Sequence, residues 1–139
     1  MKTAGLILAF VLTSFVATAQ ESNGINISVT IENVLSDDGK ILGALHSTET
    51  FLKGPGLMNE EIKASKGEVT LTFSSVSPGT YAIMILHDSN NNNRMEYESN
   101  GMPKESYATS GSLELYGPPN FESAKFEVAD EDLEFKIRF

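Results

Sequence analysis

The run "HDSNNNNRMEY", His87 to Tyr97, leaves an apolar stretch, "YAIMIL", and carries four consecutive asparagines before acid returns at Glu96 and Glu98. Calcium takes six to eight oxygens, and a twelve-residue loop offers them at its first, third, fifth, seventh, ninth and twelfth positions. Counted from Asp88, those positions are Asp88, Asn90, Asn92, the backbone carbonyl of Arg94, Glu96 and Ser99. The alternation arises because successive residues of a tight coil point toward and away from one centre. The sixth position requires a sharp turn that usually takes glycine. Here it is Asn93, and asparagine is among the best non-glycine residues at positive φ. The twelfth position is the weak one, because Ser99 brings a single neutral oxygen where a glutamate would bring two. With so few ionised ligands the expected affinity is on the order of 10⁻⁴–10⁻³ M, as in extracellular modules. The plain alternative is an exposed polar loop, since asparagine tolerates positive φ and caps its own backbone.

His87 lies in phase with Tyr81, Ile83 and Ile85, which predicts a hydrogen-bonded histidine at the end of a core face. As a general base it would need a water or nucleophile within reach, and Glu96, Glu98, Glu105 and Tyr107 are the groups that a small hydrolase could set beside it. The chain has no cysteine and no G-x-S-x-G elbow, and nothing marks a partner for the other histidine, His46. In "GMPKES", Gly101 and Pro103 shape a turn, and Lys104-Glu105 is placed to bond back to the asparagine loop and anchor it, with or without a metal.

The elements that must position these residues belong to a chain of 139 residues with a formal charge of −9. Its first stretch has one basic residue, Lys2, then an apolar run to about Val16 and the small-x-small triplet Ala17-Thr18-Ala19. This pattern predicts a signal peptide over residues 1–19 and an exported domain over residues 20–139, periplasmic or extracellular. The run is shorter than the roughly 20 residues a membrane span requires, so no stable insertion is expected after cleavage. Removing the leader takes one lysine and no acid, which leaves the domain one charge more negative. Nucleic acid and anionic membrane surfaces are poor partners for such a domain, and a carbohydrate or protein outside the cell suits it better.

Period-two alternation dominates the rest. Ile25, Ile27, Val29 and Ile31 share one face of "INISVTIEN", and Val69, Leu71 and Phe73 share one face of "EVTLTFSS". "AKFEVA" repeats the pattern with Phe126 and Val128, and "LEFKIRF" with Leu133, Phe135, Ile137 and Phe139. "KILGALHS" and "TYAIMILHD" are apolar on both faces, and the second suits a central strand covered twice. "EEIKASKGEVTLTF" predicts a hairpin turning at Ser65-Lys66-Gly67, and "LMNEEIKAS" a single helical turn at most. The strand runs are too short, and their polar faces too charged, for a membrane barrel. The fold expected is all-β: one antiparallel β-sandwich of seven or eight strands.

From Phe73 to Ser110, "FSSVSPGTYAIMILHDSNNNNRMEYESNGMPKESYATS" resembles the secreted bacterial family catalogued as domain of unknown function 2141. Its members share a "PGTYA" turn-strand, an "HD-N-N" loop and a "G-x-PKE-x-Y" segment. The likeness continues through "GPPNFESAKFEV" and weakly back to Gly24. It implies an immunoglobulin-like or transthyretin-like sandwich and no established activity. Two positions depart from the pattern: Glu96 stands where aspartate is more frequent, and Ala108 where glycine is common. The leading functional expectation is therefore a non-enzymatic binding or accessory module with a calcium-holding loop. The others are a metal-free sandwich that binds sugar, peptide or protein through the 88–119 region, and a small hydrolase built on His87.

Overall fold

The computed structural model describes residues 24–111 and 117–139. The expected leader, residues 1–19, lies outside them. Eight strands and one helical turn follow in the order β1 (Ile25–Val34), β2 (Lys40–His46), β3 (Met58–Lys63), β4 (Gly67–Val76), β5 (Gly79–Asp88), β6 (Tyr107–Thr109), α1 (Phe121–Ala124), β7 (Phe126–Val128) and β8 (Leu133–Arg138). They form two sheets, one ordered β4-β1-β8 and the other β3-β2-β5-β6, with β7 also pairing β5. The β-sandwich predicted from alternation is thus the architecture observed.

The core lies where the period-two faces meet. Ile27, Val29 and Ile31 of β1, Leu71 and Phe73 of β4 and Ile137 of β8 face Ile41, Leu45, Ile83 and Ile85 from the other sheet, and all are buried. Gly43 keeps the middle of β2 thin, since a Cβ there would come within 2.9 Å of a Leu71 methyl. The β1–β4 ladder slips in register between Ile25 and Ile27 and again between Glu32 and Val34. Asn33, left-handed at the second slip, donates from Nδ2 to the Phe139 carbonyl at 2.9 Å, so the bulge also receives the chain end. Phe139 packs against the core, as its phase predicts.

Three local expectations differ from the structure. β3 and β4 do not form a hairpin, because β3 pairs with β2 while β4 pairs with β1. The chain crosses between sheets at buried Ala64, whose N–H reaches the Gly39 carbonyl, while the Lys66 N–H reaches Asp37 Oδ1. Alternation states which face of a strand is buried but not which neighbour completes its ladder. "MNEEIK", short of apolar residues, is an edge strand rather than a helical turn. The turn of helix forms instead at Phe121–Ala124, where Asn120 Oδ1 accepts from the Ser123 N–H at 2.9 Å. Finally, β8 runs parallel to β1 in an otherwise antiparallel set. It enters from β7 on the opposite sheet, so no hairpin fixes its direction.

Two substitutions test this arrangement. Phe73→Ala, at a site with no exposure, should cost about 3–5 kcal/mol in urea unfolding, whereas Ile62→Ala on the edge strand should stay within about 0.5 kcal/mol of wild type. Comparable losses at the two positions would contradict the assignment of β3 to a sheet edge.

Candidate metal and ligand site

Asp88 ends β5 and has no exposed surface. Its Oδ1 accepts from the Asn92 N–H at 3.0 Å and its Oδ2 from the Asn93 N–H at 2.8 Å. Asn90 Oδ1 also accepts from the Asn92 N–H, at 3.2 Å, and Asn92 Oδ1 accepts from the Arg94 N–H at 3.1 Å. The backbone thus coils around the side-chain oxygens at the first, third and fifth loop positions. Such a coil requires left-handed residues, and Asn91 and Asn93 supply them with φ of 58° and 61°. The turn expected at Asn93 is present. Asn90 Nδ2 donates to Glu96 Oε2 at 2.8 Å, which holds the amide with its oxygen turned toward the coil.

The base of the loop is built by other elements. Gly39, at φ 67°, packs so closely on β5 that a Cβ would sit 2.0 Å from the Asp88 carbonyl oxygen. His87 is buried, donates from Nε2 to the Asp38 carbonyl at 2.8 Å and stacks on Phe139 at 6.3 Å between ring centroids. Beneath the loop, the Lys104 N–H reaches the Glu96 carbonyl at 2.8 Å, and the His87 N–H reaches the Ser106 carbonyl at 2.9 Å. The Ser89 N–H donates to Glu105 Oε1 at 3.1 Å. The Lys104-Glu105 pair therefore anchors the asparagine loop, as its position in the sequence suggests.

Of the six residues in the calcium spacing, these bonds join Asp88, Asn90, Asn92 and Glu96, with Arg94 bonded through its N–H to Asn92. Ser99 belongs to a separate exposed turn beyond the Tyr97–Pro103 bridge, a turn closed by the Gly101 N–H on the Glu98 carbonyl at 2.9 Å. Among the described residues, no three side chains of His, Asp or Glu converge in the geometry of a metal centre. Two features lie outside the reach of spacing. Glu105 is buried, a rare fate for a glutamate on a loop, and its only sequence signal is its place after a Gly-x-Pro turn. Ser110 is buried too, and it fastens α1 to β5 by accepting from the Ile83 N–H at 2.8 Å and donating to the Ala124 carbonyl at 2.7 Å.

The outer face of β5 has three zones. Ala82 is covered by Phe51, Phe121 and Ala124, and Asp88 by the loop. Between them Met84 and Leu86 remain half-buried and form, with Leu42, Ala44 and Tyr107, the floor of a groove of about 580 Å³. Asn59, Glu60 and Glu61 stand on one side, and Asn93, Arg94 and Met95 of the loop on another. His46 lines its end, with Nδ1 3.2 Å from Thr50 Oγ1 and its ring edge-on to Phe51.

Residues 29–136 match the family described as "Uncharacterized protein conserved in bacteria (DUF2141)". The chain belongs to that family. No curated protein and no solved structure matches it. In this DUF2141 chain, the loop and the segment that anchors it both fall within the matched region. No helix among the described residues is long and apolar enough to cross a membrane.

Burial lowers the affinity of His46 for a proton below the ordinary 6.5, and the hydrogen bond to Thr50 opposes this. The unfolded chain therefore binds the proton more readily than the native one. Stability from this group is complete above about pH 6.5 and is lost as pH falls toward the depressed native value. Unfolding free energies measured between about pH 7.5 and about pH 5 should fall less steeply in His46→Gln than in wild type. Superimposed profiles would show that His46 has no part in the pH dependence. At the loop base, Gly39→Ala should cost about 2 kcal/mol, since neither the left-handed φ nor the Asp88 carbonyl can yield to a methyl group.

Proposed function

We propose that this chain is an exported, non-enzymatic binding module whose asparagine loop takes calcium weakly and forms one wall of a groove for an extracellular carbohydrate or protein segment. The observation that carries the reading is the fully buried Asp88 carboxylate with the backbone coiled about it. Each oxygen there accepts one backbone N–H, and a carboxylate has about four lone-pair sites, so capacity for a cation is left over. The side-chain oxygens of Asn90 and Asn92 are held in the same coil, and Glu96 adds a second negative charge. Arg94 would contribute its carbonyl and Ser99 its hydroxyl, the latter from the neighbouring turn. Calcium accepts such mixed, irregular oxygen sets, whereas magnesium demands a near-ideal octahedron.

The groove supports the binding part of the reading. Its volume lies within the few-hundred-to-thousand Å³ usual for ligand sites, and an apolar floor edged by Asn, Glu and Arg suits a sugar ring or an extended peptide. His87 supports a non-enzymatic role. Its Nε2–H is spent on a backbone carbonyl and its ring is stacked, which is how a structural histidine is held.

Thermal unfolding tests the metal. A ligand that binds only the folded chain stabilises it by RT ln(1 + [L]/Kd), so about 10 mM calcium and a Kd of about 0.1 mM give roughly 2.7 kcal/mol. The expected rise in Tm is several degrees, smaller with magnesium, and absent in the double variant Asp88→Asn/Glu96→Gln. Identical melting curves in EDTA and in calcium would sink the reading.

A further inference from the structure

The loop lacks a strong final ligand in its own spacing, because Ser99 occupies the position at which such loops place a carboxylate that gives both oxygens. We propose that Glu105, from the anchoring segment, supplies that carboxylate. The inference rests on the calcium reading of the Asp88 loop and adds to it a residue the twelve-position spacing excludes.

Glu105 is only 9% exposed. One of its oxygens, Oε1, accepts from the Ser89 N–H and lies 3.5 Å from the Ser89 hydroxyl. The other, Oε2, is buried with no hydrogen-bond partner among the described residues. A buried carboxylate oxygen without a partner is unfavourable, and native proteins retain one where an ion or a catalytic task uses it. The position is also built. The Pro103 bridge to Tyr97, the Lys104 bond to Glu96 and the Ser106 bond to His87 stitch this segment between the two limbs of the loop. Glu105 is thereby held next to Ser89, one residue beyond Asp88, and next in sequence to the residue bonded to Glu96.

Asp88 and Glu96 of the loop and Glu105 of the anchoring segment then serve one divalent ion. They do not converge at metal-bonding distance in the described geometry. The Glu96 and Glu105 side chains must therefore turn about their bonds toward a bound cation, whose charge offsets the repulsion among the carboxylates.

Calcium titration by calorimetry on wild type, Glu105→Gln and Ser99→Ala decides the matter. Glutamine keeps an oxygen for the Ser89 N–H and removes the charge. The expected result is a loss of about tenfold or more in affinity for Glu105→Gln, since ligand charge count sets affinity in such sites, with a clearly smaller loss for Ser99→Ala, which removes only a neutral oxygen. Wild-type affinity in Glu105→Gln would overturn the role of Glu105 and leave the calcium loop standing. No heat and no saturable binding in wild type would remove the calcium loop itself. Should Glu105→Gln not fold, carbon NMR of the unmutated protein settles the same question: the Glu105 carboxyl resonance should move along the same calcium curve as that of Asp88, and a stationary Glu105 signal overturns the proposal.

Discussion

A carboxylate removed from water must be satisfied by the protein, and at the end of β5 that requirement falls on Asp88. Backbone N–H groups satisfy it, from Asn92 and Asn93, and they can point inward only if the chain coils left-handedly between them. Everything near this end follows. The left-handed positions favour asparagine over other side-chain-bearing residues, and no side chain fits at Gly39, where the β1–β2 connection presses on the Asp88 carbonyl. His87, one residue earlier on the opposite face of the strand, ties the same connection down through the Asp38 carbonyl. One strand end thereby fixes a turn on one side of the sandwich and the loop on the other.

That loop shares its fate with the groove. Asn93, Arg94 and Met95 belong to the coil around Asp88 and also stand over the apolar floor of Leu42, Ala44, Met84 and Leu86. A rigid sandwich with recognition placed on its loops is the usual division of labour in small β domains. Here the two parts are continuous, so anything that stiffens the coil also pre-organises a wall of the groove. Pre-organisation raises affinity by lowering the ordering entropy that binding would otherwise cost. On the calcium reading, the ion acts on ligand binding through that wall without touching the ligand.

The sequence was informative wherever a property is local. Alternation placed Ile27, Val29, Ile31, Phe73 and Ile85 in the core, and the intrinsic tolerance of asparagine for positive φ placed the turn at Asn93. It failed where the deciding partner is distant. Nothing in "EEIKASKGEVTLTF" tells that β3 belongs with β2, because an edge strand and a hairpin arm share the same alternation. The parallel pairing of β8 is likewise set by the crossing from β7, not by any residue of β8. Glu105 was legible as an anchor from its turn, but its burial and its unpaired oxygen depend on segments that surround it only in the fold. Ser99 shows the converse limit, for a spacing rule assumes one continuous coil, and the Tyr97–Pro103 bridge sets residue 99 on a separate turn.

The same bridge explains why glutamate suits position 96, where the family resemblance suggests aspartate. Residue 96 sits just before the bridge, and its carbonyl is already committed to the Lys104 N–H, so its backbone cannot move toward Asn90. The Glu96 side chain spans the remaining distance and meets Asn90 Nδ2 at 2.8 Å. An aspartate there is shorter by one methylene and would not make this contact from the same backbone. Losing it would leave only the Asn92 N–H, which Asn90 Oδ1 accepts at 3.2 Å, to hold the amide oxygen toward the coil. The substitution thus exchanges a shorter acidic arm for one that also orients its neighbour, and the charge at this position is unchanged.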